Sequence, residues 1–311
     1  MTNAPRTLGA SGLPVSAITL GTSGLGRDTR RGIDDADALA LAAAMLTGPF
    51  RAIDTSNEYA GGRSEEVLGD ALRQSTGDAL PTIITKVDRD PETGAFDRDR
   101  VWRSFDESRE RLGLERFELL HLHDPYTVTI DEALAPGGAV EGLRELKEQG
   151  LVRAIGIAAG PLPLLERFVD EGALDVLLSH NRFTIVDSDA RELFEKARSL
   201  GMGVMNAAPF GGGILGAGRA DRYGYREIDS SLQQWLDSAR AVCARHGVEL
   251  RTVALHHSLR SPLVDTTVVG ISRPERMAEL EAMAAAVPPD EVWSELADLG
   301  PAPSPFAGAG A

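Results

Sequence analysis

Two patterns of apolar and polar positions alternate along the chain. Short runs rich in aliphatic and β-branched residues, typical of buried strands, alternate with longer stretches in which apolar residues recur at helical spacing. Several helical stretches end in glycine, as at Gly113, Gly150 and Gly201, where a left-handed residue closes the last turn. The strand signals begin at Ser16, Arg51, Pro81, Arg116, Val152, Asp175, Gly203 and Asp265. Strands that alternate with helices in this way predict a parallel sheet with right-handed crossovers.

The spacing of these signals predicts the architecture. Most successive strands begin about 30 residues apart, the length of one βα unit. The predicted helices between them are Asp35–Leu46, Ser64–Gln74, Arg100–Leu112, Val140–Gln149, Leu162–Glu171, Ala190–Leu200 and Arg273–Ala286. The interval after the seventh strand is longer and holds two further helical stretches, Ser230–His246 and Arg251–Arg260. Eight regular units without an intervening linker favour a closed (β/α)8 TIM barrel, of the α/β class, over an open doubly wound sheet.

The two ends of the chain differ from these repeats. Arg6–Leu8 and Pro14–Val15 flank a glycine-containing turn and predict a small hairpin before the first barrel strand. Residues 301–311 are rich in proline, alanine and glycine and predict a flexible tail. We therefore expect one barrel domain over residues 1–311, with extra helices after the seventh strand.

Composition and charge exclude several classes of function. The 311 residues are 42% hydrophobic and 25% charged, typical of a globular chain with a sizeable core. A net charge of −15 argues against nucleic acid and anionic membranes as partners. The single cysteine, Cys243, excludes an intrachain disulfide and a thiolate-rich metal site. We find no secretory signal and no apolar run long enough to cross a bilayer, and expect a cytoplasmic protein.

Four polar residues stand where the predicted strands end. Asp54 follows the second strand, Lys86 the third and His123 the fourth, and Tyr59 lies in the loop after Asp54. Singly, each has a structural alternative: a loop cap, a solvated rim charge, a core histidine or an exposed loop aromatic. Because the carboxyl ends of barrel strands surround one mouth, we expect the four side chains to converge there.

Together these residues suit proton transfer at a carbonyl or alcohol oxygen. A free tyrosine titrates near pH 10, so it is a poor base at neutrality. An adjacent Lys86 ammonium, kept charged by Asp54, stabilises the phenolate, and we expect it to lower the pKa of Tyr59 by about two or three units. His123 can hydrogen-bond the reacting oxygen. None of the four is a nucleophile with an attached base, which argues against covalent hydrolysis.

Five stretches of the sequence resemble the aldo-keto reductase family. They are Ile53–Tyr59 with Ser64 and Glu65, Thr85–Lys86, Leu119–Pro125, Val152–Ile157 and Pro209–Leu215. The resemblance covers about residues 6–286. Within the family, the sequence is most similar to the branch of aldose 1-dehydrogenases (L-fucose dehydrogenase) and pyridoxal 4-dehydrogenase. It implies an NAD(P)(H)-dependent oxidoreductase that acts on a small aldehyde, ketone or aldose; in that branch a cyclic hemiacetal is oxidised to a lactone.

The resemblance also implies a role for each matched position. Tyr59 is the expected proton donor or acceptor, Lys86 and Asp54 tune it, and His123 orients the carbonyl. The implied cofactor positions are Gly21, Thr22, Asp54, His180, Asn206, Ala207, Pro209, Phe210, Gly211, Gly212, Gly213, Leu215, Gly270, Ser272, Arg273 and Arg276.

The positions expected to face the nicotinamide depart from the family pattern. Ala158 and Ala159 replace a serine and asparagine that grip the carboxamide in many members, and His180 replaces a glutamine. Ala207 replaces the tyrosine that stacks on the ring, and Gly270 stands where some NADPH-specific members have lysine. Other groups, such as His180 and Asn206, would then hold the ring.

Two segments suit phosphate groups. Residues 211–216 satisfy G-x-G-x-x-G, but they follow the seventh strand, so we interpret them as a loop that approaches the pyrophosphate rather than a Rossmann turn. Arg273 and Arg276 open the last helix and can form an anion site for an adenosine 2′-phosphate. The alternative is surface pairing with Glu275 and Glu279. The arginines favour NADP(H) over NAD(H), and we expect no metal.

Two other functions compete with the enzyme. A cofactor-binding regulatory subunit with little turnover is compatible with the altered nicotinamide positions. A metal-dependent hydrolase depends on His121 and His123, which lie two residues apart on one strand face. We expect Asp124 to face away from this pair, and we interpret His121 as a core histidine with one hydrogen-bond partner.

Overall fold

The chain begins with a short hairpin and continues into a closed barrel. The computed structural model describes residues 6–26, 35–77, 80–216, 221–224 and 226–306. The hairpin pairs β1 (Arg6–Leu8) with β2 (Leu13–Val15). The barrel strands are β3 (Ile18–Gly21), β4 (Ala52–Asp54), β5 (Thr82–Val87), β6 (Phe117–His123), β7 (Val152–Ala159), β8 (Val176–His180), β9 (Gly203–Ala207) and β12 (Thr266–Gly270). Parallel pairing of β12 with both β9 and β3 closes the barrel, which confirms the predicted fold.

Helices follow the strands and form the outer layer. They are α1 (Asp35–Thr47), α2 (Arg63–Gln74), α3 (Arg98–Leu112), α4 (Ile130–Leu134), α5 (Ala139–Glu148), α6 (Leu162–Asp170), α7 (Arg191–Ser199), α8 (Ser230–Arg245), α9 (Leu250–Leu259), α10 (Glu275–Ala285) and α11 (Asp290–Asp298). The predicted helices agree closely with these bounds, including the extra helices after the seventh strand. The sequence analysis missed α4, α11 and a second hairpin, β10 (Arg222–Tyr223) with β11 (Arg226–Glu227). The helix α4 is a single turn with a Thr129–Glu132 capping box, too short for a periodic signal.

The alternation of side chains along the strands separates two apolar layers. It also determines which polar residues at the strand ends point into the barrel. Ile84 and Leu119 point into the barrel, whereas Ile83 and Leu120 pack beneath the helices. Successive strand residues face opposite sides. The residue two positions beyond Ile84 therefore points inward at the mouth, and it is Lys86.

The N-terminal hairpin covers the amino ends of the barrel strands. Leu8, Leu13 and Val15 are buried in the same apolar cluster as the inward strand residues. The Ala10 amide donates to the Gly201 carbonyl at 2.8 Å. The hairpin therefore fills the lower end of the barrel, opposite the mouth.

The predicted tail is partly docked. Ser304 Oγ donates to Asp187 Oδ2 at 2.6 Å, and the Phe306 ring packs edge-on against Tyr223 and under the Arg182 guanidinium, 4.0 Å away. Residues 301–306 thus contact the barrel instead of extending from it, and residues 307–311 of that prediction lie outside the described part. None of the helices in the described ranges combines the length and apolar character that a bilayer crossing requires.

We predict that Gly9→Ala destabilises the fold more than Gly150→Ala. Both glycines have positive φ, +53° and +71°, so each alanine incurs roughly 1–2 kcal/mol of left-handed backbone strain. A Cβ at Gly9 would also lie 2.2 Å from the Gly203 amide nitrogen, whereas one at Gly150 meets no heavy atom within 4 Å. Urea unfolding should show an excess loss for Gly9→Ala of about 1–3 kcal/mol. Equal losses would show that the hairpin does not pack against β9 as described.

Candidate active site

Three of the four residues expected at the mouth form one hydrogen-bonded group. Lys86 Nζ donates to Asp54 Oδ1 and to the Thr55 carbonyl, each at 2.6 Å, and lies 3.2 Å from Tyr59 Oη. The lysine and aspartate are 1% and 2% exposed, so this ion pair is buried. The His123 ring meets the Tyr59 ring edge-on, with 5.6 Å between centroids. The structure therefore brings together all four residues that the sequence places at the strand ends.

A tight turn positions Tyr59. Its amide donates to the Ser56 carbonyl at 3.2 Å, and the Ser64 amide donates to the Tyr59 carbonyl at 3.2 Å. Residues 60–62 follow with φ of 56°, 65° and 91°, and this left-handed run reverses the chain into α2. Two of the three residues are glycine, which adopts that backbone without strain. The turn returns the phenol over Lys86, the inward residue of the neighbouring strand.

The pKa of Tyr59 differs from the expectation. Desolvation by the surrounding protein raises the pKa of Tyr59 to about 12, although the Lys86 cation acts to lower it. Burial acts to lower the pKa of Lys86, but Asp54 and Tyr59 raise it above its usual value. The prediction of a lowered phenol pKa was wrong, because desolvation of the phenol and the nearby Asp54 carboxylate outweigh the lysine. Around neutral pH the phenol is therefore protonated.

We predict that Tyr59 contributes no phenolate absorbance through pH about 10, the ordinary midpoint of tyrosine. The measurement is the ultraviolet difference between wild type and Tyr59→Phe during alkaline titration. Both proteins unfolded in denaturant provide the control, since there the extra tyrosine titrates near pH 10. A difference signal with its midpoint at or below pH 10 in the folded proteins would contradict the raised pKa.

A second dyad supports His123, and the sequence analysis missed it. His123 Nδ1 lies 2.6 Å from Asp88 Oδ1. Ser56 Oγ donates to Asp88 Oδ2 at 2.5 Å and lies 3.0 Å from His123 Nδ1, and the Glu58 amide donates to Asp88 Oδ2 at 3.0 Å. Burial acts to lower the pKa of His123, but the carboxylate of Asp88 raises it above the usual value. A signal was present, since Asp88 and Ser56 each stand two residues after a member of the predicted set.

The other histidines of the mouth also differ from expectation. His121 is buried one layer below His123, as expected of a core histidine, although neither ring nitrogen makes a hydrogen bond of good geometry with a described residue. Burial and the nearby Lys86 cation hold the pKa of His121 well below its usual value. Asp124 does not face away: its carboxylate lies 3.8 Å from His123 Nε2 and 3.7 Å from His180 Nε2. Within the described ranges no cluster of His, Cys, Asp or Glu could hold a metal ion.

A cavity of about 880 Å³ opens above this group. Tyr59, Lys86 and His123 lie on its wall. The predicted cofactor positions that also line it are Gly21, Asp54, His180, Ala207, Pro209, Phe210, Gly212, Gly213, Gly270 and Arg276. The cavity therefore extends from the tetrad to the loop after β9 and to the start of α10.

The remaining predicted cofactor positions do not line this cavity. They are Thr22, Asn206, Gly211, Leu215, Ser272 and Arg273. Asn206 points outward from β9, where its amide nitrogen donates to the Phe183 carbonyl and to Ser258 Oγ. The expectation that Asn206 holds the nicotinamide is therefore corrected, because strand alternation turns it towards α9. Thr22 instead donates to the Asp54 carbonyl.

Arg273 and Arg276 were interpreted either as an anion site or as surface ion pairs, and the structure gives the two residues different surroundings. Arg273 lies 3.9 Å from Glu279, in line with surface pairing. Arg276 lines the cavity and has no ion-pair partner within the described part of the chain. Arg276 alone is thus free to meet an anion from the cavity.

Comparison with known proteins identifies the class. The pattern of the Aldo/keto reductase family matches residues 17–300. D-threo-aldose 1-dehydrogenase from Pseudomonas sp is 32% identical over 95% of this chain and 97% of its own length. Pyridoxal 4-dehydrogenase from Microbacterium luteolum is 28% identical over 95% and 97%. The solved aldo-keto reductase AKR11C1 from Bacillus halodurans shares the fold, with a TM-score of 0.80, 22% identity and coverage of 96% and 97%.

The barrel, its mouth and these relatives define an oxidoreductase that acts on CH–OH and C=O groups. The chain belongs to the aldo/keto reductase family. This confirms the resemblance to the aldose and pyridoxal dehydrogenase branch that the sequence motifs indicated.

The cavity suits the nicotinamide cofactors that this family uses. A Cβ added at Gly213, which has φ of +110°, meets no heavy atom within 4 Å, so the loop after β9 leaves open space along the cavity. The guanidinium of Arg276, which has no ion-pair partner among the described residues, stands at the α10 end of the cavity, where an anion would be stabilised. The residues present fit a dinucleotide.

Proposed function

We propose that this protein is an NAD(P)(H)-dependent oxidoreductase in which Tyr59 is the general acid and base. The observation that carries the proposal is the buried contact of Lys86 with Tyr59 Oη at 3.2 Å and with Asp54 at 2.6 Å, on the wall of the cavity. When bound, the nicotinamide supplies hydride to a carbonyl carbon or accepts it from an alcohol. In the reducing direction Tyr59 gives its proton to the carbonyl oxygen, and Lys86 stabilises the phenolate that remains.

The residues that would hold the cofactor follow from the cavity lining. Gly212 and Gly213 let the backbone approach the pyrophosphate, and Arg276 meets an adenosine 2′-phosphate. We therefore propose NADP(H) as the preferred cofactor. His180 stands at the wall beside Ala158 and Ala207 and is the polar group placed to bind the nicotinamide amide.

We propose a small polyhydroxylated carbonyl compound, such as an aldose in its hemiacetal form, as the substrate. A second cavity of about 930 Å³ adjoins the mouth, and its wall includes Arg89, Asp124, Asn181 and Arg182. Guanidinium, carboxylate and amide groups on one wall match the alternating donors and acceptors of sugar hydroxyls. The relatives named for aldose and pyridoxal oxidation support the same substrate class. Cytoplasmic location stays a prediction from the sequence.

We predict that Tyr59→Phe lowers kcat for hydride transfer by about 10²–10⁴-fold, the usual contribution of a general acid or base. Cofactor affinity should stay within about twofold, because only the proton relay is removed. Turnover is followed by NAD(P)H absorbance on aldoses and aromatic aldehydes, and affinity by NAD(P)H fluorescence. Activity retained in Tyr59→Phe would exclude this tyrosine as the proton donor. Cofactor binding without turnover in wild type would favour the regulatory alternative instead.

We predict that Arg276→Ala weakens NADPH binding about tenfold, equal to about 1.4 kcal/mol at 25 °C, and leaves NADH binding nearly unchanged. The reason is that the 2′-phosphate loses the guanidinium that lines the cavity at the start of α10. Arg273→Ala is the matched control, since this arginine lies on the same segment but does not line the cavity. Fluorescence titration with both cofactors gives the affinities. Equal losses for NADPH and NADH in Arg276→Ala would contradict a 2′-phosphate site.

A further inference from the structure

We propose that Asp88 is a positioning residue that fixes the proton on His123 Nδ1, so that His123 donates a hydrogen bond to the substrate oxygen as an imidazolium. This inference rests on the proposed function. Its geometric basis is the buried contact of 2.6 Å between Asp88 Oδ1 and His123 Nδ1, where Asp88 is 1% exposed. An ionised carboxylate only accepts hydrogen bonds, so Nδ1 must carry the proton.

The hydroxyl of Ser56 supports the same assignment. Its single hydrogen is donated to Asp88 Oδ2 at 2.5 Å, which leaves an oxygen lone pair facing His123 Nδ1 at 3.0 Å. Both neighbours of Nδ1 are therefore acceptors. With Nδ1 protonated, a neutral ring has a bare Nε2 that can only accept a hydrogen bond. A carbonyl oxygen also only accepts, so His123 can bind it through Nε2 only when both nitrogens are protonated.

The charges around His123 are balanced in favour of the cation. Asp88 contacts Nδ1, and the Asp124 carboxylate lies 3.8 Å from Nε2. Lys86 opposes the cation, but its own charge is compensated by Asp54 at 2.6 Å. The titratable and charged groups that face the ring from the surrounding elements are Tyr59, Lys86, Asp88, His121 and Asp124, and His180 lies behind Asp124.

The consequence is a specific pH dependence of carbonyl reduction. Activity should fall as pH rises through the pKa of His123, because the neutral ring loses its donor at Nε2. Tyr59 does not cause this loss of activity with rising pH. Its pKa is raised to about 12, so the phenol is still protonated at the pH where His123 loses its proton. Removing the Asp88 charge should move this fall in activity to lower pH by one unit or more. At any pH above the wild-type midpoint, the activity of the variant should then be at least tenfold lower than that of wild type.

The direct test is titration of the His123 ring in cofactor-free protein by NMR with labelled histidine. The His123 signal is assigned from its loss in His123→Gln. Wild type should titrate above the ordinary value of about 6.5, and Asp88→Asn should titrate below wild type. Glu92→Gln is the control, because it removes the same charge from an exposed position in the loop that follows β5. A wild-type midpoint at or below 6.5 overturns the proposal, whether or not the protein transfers hydride.

A double-mutant cycle tests whether Asp88 acts through His123. Asp88→Asn alone should lower kcat for reduction at pH 8 about tenfold or more, with a smaller loss at low pH and unchanged cofactor affinity. In a His123→Gln background the same change should have no further effect on kcat, because the group it positions is gone. Additive losses would assign Asp88 to structure and overturn the proposal. Ser56→Ala, which keeps the carboxylate, provides a milder variant if Asp88→Asn fails to fold, and it should shift the NMR midpoint in the same direction.

Discussion

The buried ion pair of Lys86 and Asp54 is the interaction on which the mouth of this barrel depends. Removing two charges from water costs several kcal/mol for each, and their attraction offsets this only with good geometry and further hydrogen bonds. Lys86 has both, since it bonds Asp54 and the Thr55 carbonyl at 2.6 Å and reaches Tyr59, whereas Asp54 Oδ2 has no hydrogen-bond partner among the described residues. A tyrosine held over such a pair faces a cation whose field is largely compensated. The phenol therefore stays protonated, with the lysine ammonium 3.2 Å from its oxygen.

A second buried carboxylate, Asp88, contacts another basic side chain of the mouth, His123. Asp88 contacts His123 as Asp54 contacts Lys86, so in each case a buried carboxylate near a strand end meets a basic side chain on the cavity wall. Asp88 also accepts hydrogen bonds from Ser56 and the Glu58 amide, whereas Asp54 Oδ2 has no hydrogen-bond partner among the described residues. The two carboxylates contact different basic side chains, and these, Lys86 and His123, lie on the adjacent strands β5 and β6.

The alternation of inward and outward residues along a strand explains which site residues could be predicted from the sequence. Asp54, Lys86 and His123 are inward residues at the carboxyl ends of consecutive strands, so a correct strand register places them together without any knowledge of side-chain contacts. The same alternation makes Ala207 the inward residue of β9, so its neighbour Asn206 faces the helices. The direction of the pKa shift of Tyr59 could not be predicted from the strand register, because it depends on the balance between desolvation of the phenol and a lysine cation compensated by Asp54. The docking of Phe306 depends on a cavity wall built from distant segments, which no local pattern in a proline-rich tail reveals.

The cavity wall beside His180 is formed partly by small apolar side chains. Ala158 and Ala207 line the cavity with methyl groups, so neither side chain can hydrogen-bond an amide. Asn206 is turned outward from the barrel, whereas the polar side chain of His180 lies on that wall. The Asn181 amide nitrogen, which only donates, lies 3.1 Å from His180 Nδ1, so Nδ1 is the acceptor and the proton of a neutral ring resides on Nε2. His180 Nε2 faces the Asp124 carboxylate, 3.7 Å away, whereas His123 Nδ1 faces the acceptors Asp88 and Ser56. Nδ1 therefore accepts a hydrogen bond in one histidine of the mouth and donates one in the other, because different groups contact it.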